Sequence, residues 1–317
     1  MSNSSFIVLV GTALLLLLAC SEELSDPLTS LVEQNSSTAS SPLIPSPSDL
    51  SSAQGDAVDF DVKPESDLPP LQSRIQALLI KANPNYQGQG QFHEQGGEIV
   101  AAEFPRCGLR NLTPLRGLNL RMLDLSGNPV REIRHLKGMP LNKLFLENTA
   151  VESLRDLRDA KLIELRLNDS PVDSLDGIQG QPLENLYAVG TRITSVEPLK
   201  HSNLRGLWLT GSPVSDLSPL AGLPLQSLTA HRTLVNDLSF IRKLPVIQRL
   251  HIGDTLIEDL TPLEGLRLTR LVFTPQRIKR GLEVARRLSA LREIGTAFDD
   301  QRRDLMAPDA FWAQFRR

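Results

Sequence analysis

Apolar residues return at six fixed places in every 21-residue unit from Ile99 to Leu263, eight units in succession, with one 22-residue step. The units open at Ile99, Leu120, Leu141, Leu162, Leu183, Leu204, Leu225 and Ile247, the longer step preceding Ile247, and a ninth, partly degenerate unit opens at Leu268. The places are the first residue and those 3, 5, 10, 13 and 16 further on, as in Leu204, Leu207, Leu209, Val214, Leu217 and Leu220. All 48 are apolar, where a 40% hydrophobic composition supplies about 19 by chance. One unit is too short to enclose its own apolar face, so stacked neighbours must bury it. The chain is therefore expected to form a solenoid whose contacts are nearly all local.

Within the unit, the pattern L-x-x-L-x-L reads as a short strand of period two with its second and third leucines pointing inward. Eight residues into each unit stands a small or polar side chain: Cys107, Asn128, Thr149, Ser170, Thr191, Ser212, Thr233 or Thr255. The chain must turn there, and such groups bond backbone N–H and C=O that would otherwise be buried unpaired. Pro114, Pro198, Pro219 and Pro262 stand fifteen residues into four units, each followed by leucine. Proline tolerates the start of a helical turn, so the return leg is predicted to be a single 3₁₀ or helical turn. Asp216, Asp237 and Asp259 recur at the twelfth residue, where they suit caps of those turns.

Units such as Leu204 to Leu220, LRGLWLTGSPVSDLSPL, resemble the short leucine-rich repeats of bacterial internalin-type proteins. Similar repeats occur in the extracytoplasmic parts of some bacterial receptor-like kinases. The resemblance covers about 180 of 317 residues. It implies an α/β repeat fold: a right-handed leucine-rich-repeat solenoid with a parallel concave sheet, a convex side of 3₁₀ turns, and a cap at each end. Such folds host many unrelated binding tasks. Asparagine, usual at the eighth position, occurs only at Asn128. Threonine and serine offer fewer bonds than an amide, so neighbouring coils are expected to be less firmly tied.

Residues 1–19 read as a signal peptide, with an apolar run from Phe6 to Ala19 that is short for a bilayer span. Leu17-Leu18-Ala19-Cys20 is similar to the lipobox of bacterial lipoproteins, which implies acylation of Cys20 and a lipid anchor in the bacterial envelope, outside the cytoplasm; Ser21 then points to the outer membrane. The first five residues lack the usual Lys or Arg, and an ordinary cleaved signal with an incidental cysteine is the alternative. Residues 20–68 have no apolar period and are rich in Ser, Pro and acids, the composition of a disordered linker. The first 70 residues hold ten acids and one base, while the other 247 hold 27 acids and 33 bases. A net +6 over 247 residues is far short of a nucleic-acid footprint, so no nucleic-acid partner is expected. Cys107, the second of only two cysteines, sits at a turn position and reads as a buried, inert thiol.

Open solenoid ends expose apolar faces, so both ends need covers. Residues 69–98 read as the first cap: Leu71, Ile75, Leu78 and Leu79 on one face of a helix stopped at Asn83-Pro84, then a hairpin turning at Gly96-Gly97. The repeat domain spans 99–280, and 281–317 reads as a helical cap closed by Phe311, Trp312 and Phe315.

On each strand the residues 2, 4 and 6 into the unit face away from the core, onto the concave sheet. The middle column reads Glu103, Asp124, Phe145, Arg166, Tyr187, Trp208, Thr229, His251 and Val272; neighbouring columns add Lys143, Glu164, His231 and Arg249. Aromatics are 4% of the chain, yet they crowd this column, and Tyr, Trp and Arg are the types that anchor interfaces. With strands about 4.8 Å apart, Phe145, Arg166, Tyr187 and Trp208 form a track on the order of 15 Å long. Its binding reading, extended to His231, Arg249 and His251, stands beside a purely structural one in which the side chains pack across strands with Arg166 between rings. His231 and His251 are expected to lie about 8 Å apart, with no third metal ligand. No phosphate loop, H-E-x-x-H, paired C-x-x-C or G-x-S-x-G occurs, so neither catalysis nor a cofactor is expected. The sequence thus reads as a monomeric, membrane-tethered module that binds a protein, or secondarily a glycan, on its concave face. The alternatives are a structural or adhesive envelope protein and a sensor partner of a membrane kinase.

Overall fold

The computed structural model describes residues 69–298 and 303–315; the segments expected to be a signal peptide and a linker, and Cys20 with its expected acylation, lie outside the described residues. Eleven strands form one sheet in strict chain order. They are β1 (Gln91–Gln95), β2 (Glu98–Glu103), β3 (Met122–Asp124), β4 (Lys143–Phe145), β5 (Glu164–Arg166), β6 (Asn185–Tyr187), β7 (Gly206–Trp208), β8 (Ser227–Thr229), β9 (Arg249–His251), β10 (Arg270–Val272) and β11 (Glu293–Gly295). β1 and β2 pair antiparallel through a turn in which Gly96 and Gly97 both have positive φ, at 63° and 83°. From β2 onward every pairing is parallel and in register, so that Leu123, Leu144, Leu165, Leu186, Leu207 and Leu228 stack as one column. All 48 repeat places are buried, none more than 3% exposed. They form the dry spine that a 21-residue period requires.

Seven of the eight coils return through a 3₁₀ turn, in four of them with proline at its start. The extra residue before Ile247 is absorbed there: Ser239–Lys243 is a five-residue 3₁₀ turn where the others have three. Strand register is therefore undisturbed across the step, Leu228 still facing Leu250. The coil opening at Leu162 lacks the turn. Gly177, at φ 108°, presses so close to the preceding coil that a β-carbon would lie 2.2 Å from the Leu154 carbonyl oxygen. Gln181 fills the gap, donating to the carbonyls of Leu157 (2.8 Å) and Gly177 (3.0 Å) and accepting from the Leu162 N–H at 3.1 Å.

Asp216, Asp237 and Asp259 accept the backbone N–H two residues on, at 2.8, 2.9 and 2.8 Å, and Asn111 does the same at 2.9 Å. They cap the turns as the sequence indicates. At the eighth position Asn128 bridges coils, accepting from the Leu109 N–H (2.9 Å) and donating to the Phe104 carbonyl (2.6 Å). Thr149, Ser170, Thr233 and Thr255 instead donate to a carbonyl three residues back in their own coil. Cys107 is a free, buried thiol, and that burial pushes its pKa up.

At the first end, α1 (Leu71–Ala82) buries Ile75 and Leu79. Asn83 clamps it to the first coil, its Oδ1 accepting from the N–H groups of Arg110 and Asn111, both at 2.8 Å. At the other end, α2 (Leu282–Arg286) is followed by β11, a further parallel rung within a stretch whose sequence reads as helical. Three residues with one buried apolar member, Ile294, carry too little pattern to announce a strand; the open edge of β10 induces it. The chain then doubles back through Met306, and α3 (Pro308–Gln314) brings Phe311 against Phe273, ring centroids 6.1 Å apart. No helix among the described residues is long and apolar enough to cross a membrane.

Candidate functional site: a ladder of rings on the concave sheet

Parallel, in-register pairing puts Phe145, Arg166, Tyr187 and Trp208 side by side on β4 to β7. The Arg166 guanidinium lies 4.6 Å from the Phe145 ring centre and 4.9 Å from that of Tyr187. Tyr187 and Trp208 stack face to face at 4.2 Å, with only 4° between their planes. All four side chains are half-buried. Cation–π contacts of about 0.5–2 kcal/mol and an aromatic pair of about 0.5–1.5 kcal/mol make the ladder self-supporting.

Glu164 fixes the cation. It lies two residues before Arg166, hence on the same face, and one carboxylate oxygen accepts from both Nε and Nη2 of Arg166 at 2.7 Å. Lys143 approaches the other oxygen at 3.7 Å. Burial works against the charge of Arg166, but the charge and hydrogen bond of Glu164, joined by Tyr187 and Glu147, together outweigh it and raise the pKa. Beside Phe145, Glu147 has its carboxyl pushed up by burial, with Arg166 working in the opposite direction. Its Oε1 accepts from the Asn168 amide at 2.7 Å, while the Asn168 oxygen accepts from the Val189 N–H at 3.0 Å.

The indole of Trp208 lies over Gly206, two residues back on its own strand. A β-carbon at Gly206 would meet Trp208 ring carbons at 2.5 and 2.6 Å and the Asn185 side-chain oxygen at 2.6 Å. The missing side chain is what lets the indole reach Tyr187. Gly206 and Asn185 thus belong to the site although neither was singled out from sequence; a glycine in a strand interior marks such a close approach.

The histidines depart from expectation. His231 and His251 do not stand about 8 Å apart on an open surface: their rings stack at 4.7 Å and both residues are buried, 2% and 6% exposed. The cause is Gly253, whose bare backbone leaves room for both rings and whose carbonyl lies 2.9 Å from His231 Nδ1. They pack on each other and against Gly253, and leave the half-exposed part of the concave face to Phe145, Arg166, Tyr187 and Trp208. Arg249, half-buried on β9, is separated from Trp208 by β8 and pairs in register with Arg270. No group of three or more His, Cys, Asp or Glu among the described residues could hold a metal ion.

The chain resembles solved leucine-rich-repeat structures. It superimposes on an internalin (inlF) from Listeria monocytogenes with a TM-score of 0.60 and 23% identity, over 71% of this chain and 67% of that one. On internalin C2 (inlC2) of the same species the TM-score is 0.56 at 23% identity, over 65% of this chain and 93% of that one. The fold is therefore the internalin type of leucine-rich-repeat solenoid. No family model matches the sequence, and no curated protein matches it significantly.

Proposed function

We propose that this chain is a non-catalytic, protein-binding module, tethered outside the cytoplasm by an acylated Cys20, and that it recognises its partner on the concave face. One observation carries the reading: a stacked run of three large rings and a guanidinium, spanning four adjacent strands of the concave sheet, is half-exposed. Solvated sheet faces seldom hold such a run without a partner. A protein suits it better than a glycan. Sugars stack on open ring faces, and both faces of Tyr187 are already covered, one by Arg166 and one by Trp208. What the ladder offers outward is ring edges, a phenol and an indole, the amphipathic tips that anchor protein interfaces.

A photo-crosslinking amino acid placed at Thr229, beside Trp208, should capture one distinct protein in intact cells, and the same probe at the convex Ser239 should not. Gly206→Ala, which dislodges the indole, should weaken capture at least tenfold. Capture of the chain by itself would favour a structural, adhesive role instead, and capture of a kinase ectodomain the sensor role. The tether is tested by metabolic labelling with a clickable fatty acid, whose incorporation should vanish in Cys20→Ser.

A further inference from the structure

We infer that the first end of the solenoid carries a second surface, built from α1 and the convex turns of the first three coils, that docks on an anionic lipid bilayer. The inference stands apart from the concave reading and from acylation of Cys20. Its first ground is how charge is distributed. The return legs at residues 110–117, 131–138 and 152–159 hold seven cations against four acids, whereas those at 173–180, 194–201 and 215–222 hold one cation against four acids. Much of the positive excess of the repeat domain is thus gathered on three adjacent coils.

Arg116, Lys137 and Arg158 fill the same place on those coils, immediately after each 3₁₀ turn. All three are exposed, and none has a carboxylate within 4 Å among the described residues. By contrast Arg134 is held by Glu132 at 3.0 Å and Arg155 approaches Asp176 at 4.0 Å. The local field is registered by His135 between them. Its pKa is lowered by burial and further by Arg134 and Arg116, against the weaker pull of Glu132 and Asp156.

The second ground is apolar. Of the seven large hydrophobic residues left exposed among the described residues, three are on the twelve-residue α1: Leu71 (41%), Leu78 (52%) and Ile80 (45%). At 3.6 residues per turn Leu71 and Leu78 share a face, bordered by the exposed Arg74 and Lys81, and the helix has no acidic residue. This helix packs on the first 3₁₀ turn, which Arg116 follows, and is clamped to Arg110 and Asn111 by Asn83, so the helix adjoins the start of the basic row.

A soluble polyanion would use the cations and leave the leucines idle. A bilayer with acidic headgroups uses both, apolar side chains entering the interface while cations meet the lipid charge. Docked this way, the convex turns face the membrane and the concave ladder faces away from it, free to meet a partner.

Amide hydrogen exchange of the full chain should show this with vesicles of equal phosphatidylcholine and phosphatidylglycerol. Residues 71–82 and the turns at 113–116, 134–137 and 155–158 should slow, with no slowing on phosphatidylcholine alone and none in the concave strands. Each surface cation contributes about fivefold, so Arg116→Gln with Lys137→Gln and Arg158→Gln should demand on the order of 100-fold more lipid for the same protection. Leu71→Ser with Leu78→Ser, which removes no buried side chain, should also weaken it. Equal protection on neutral vesicles, protection indifferent to both variants, or none on either vesicle would overturn the inference. So would equal protection by soluble polygalacturonate, which would reassign the surface to an acidic polymer.

Discussion

Glu147 shows how a single half-buried carboxyl ties the ladder to pH. Burial holds its carboxyl above the ordinary glutamate value, so the folded chain keeps a proton that the unfolded chain releases. Between those two values stability must fall as pH rises. Asp237 and Asp259 act in the other direction: hydrogen bonds from Ser239 and Thr261 lower their pKa values, and the stability they contribute is lost as pH falls through those lowered values. Glu147→Gln keeps an acceptor for Asn168 and removes the half-buried charge. We predict a melting temperature above that of the unmodified chain at pH 8, by a few degrees at most, since about 1 kcal/mol moves a domain of this size by ~2–4 °C. A gap that closes as pH falls toward the ordinary glutamate value, followed by circular dichroism, is the expected signature. At this scale the sequence showed which residues share the concave column. It did not show that Gly206 and Gly253 would decide which of them reach one another, because a glycine's effect lies in what its neighbours do with the vacated space.

At the scale of the coil, the eighth position separates two ways of turning the chain. Asn128→Ala would strand the Leu109 N–H in the core and leave the Phe104 carbonyl only a long bond from the Cys107 N–H (3.4 Å), at a cost of about 2–3 kcal/mol, whereas Thr149→Ala removes one bond inside a single coil and should cost about 1 kcal/mol. Urea denaturation of the two variants checks the ranking; equal losses would mean that the inter-coil bridge adds nothing. The strands, return legs and aspartate caps were legible because each repeats with the apolar period. Another column was equally regular and carried its own signal. Arg106, Gly127, Asn148, Asp169, Gly190, Gly211, Arg232 and Asp254, one place before the small-residue turn, all have φ between 52° and 74°. Six of the eight are Gly, Asn or Asp, the types that tolerate this left-handed conformation. β11 was not legible, since its identity as a strand depends on the edge it meets.

For the whole molecule, contacts between neighbours alone make stability a property of ends as well as of coils. Phe311 seals one end against Phe273 and stacks on Phe315 at 4.7 Å. Phe311→Ala should cost about 3–5 kcal/mol locally. Hydrogen exchange should then accelerate in β9 to β11 while β3 to β5 keep their protection, because no contact carries the loss across the intervening coils. Uniform acceleration along the sheet would show instead that the solenoid unfolds as one cooperative unit.

The sequence by itself determined the spine. Burial of an apolar face is a local demand, and a period of 21 residues states that demand eight times over, so stacking, strand order and the positions of the turns follow from one rule. Tertiary structure alone decided the surface. Whether rings on adjacent coils stack, sink or stay open depends on distances across coils and on space left by small residues, and neither has a period to read. Hence the ladder stands open on the concave sheet while the two histidines, drawn from the same columns, lie buried against Gly253.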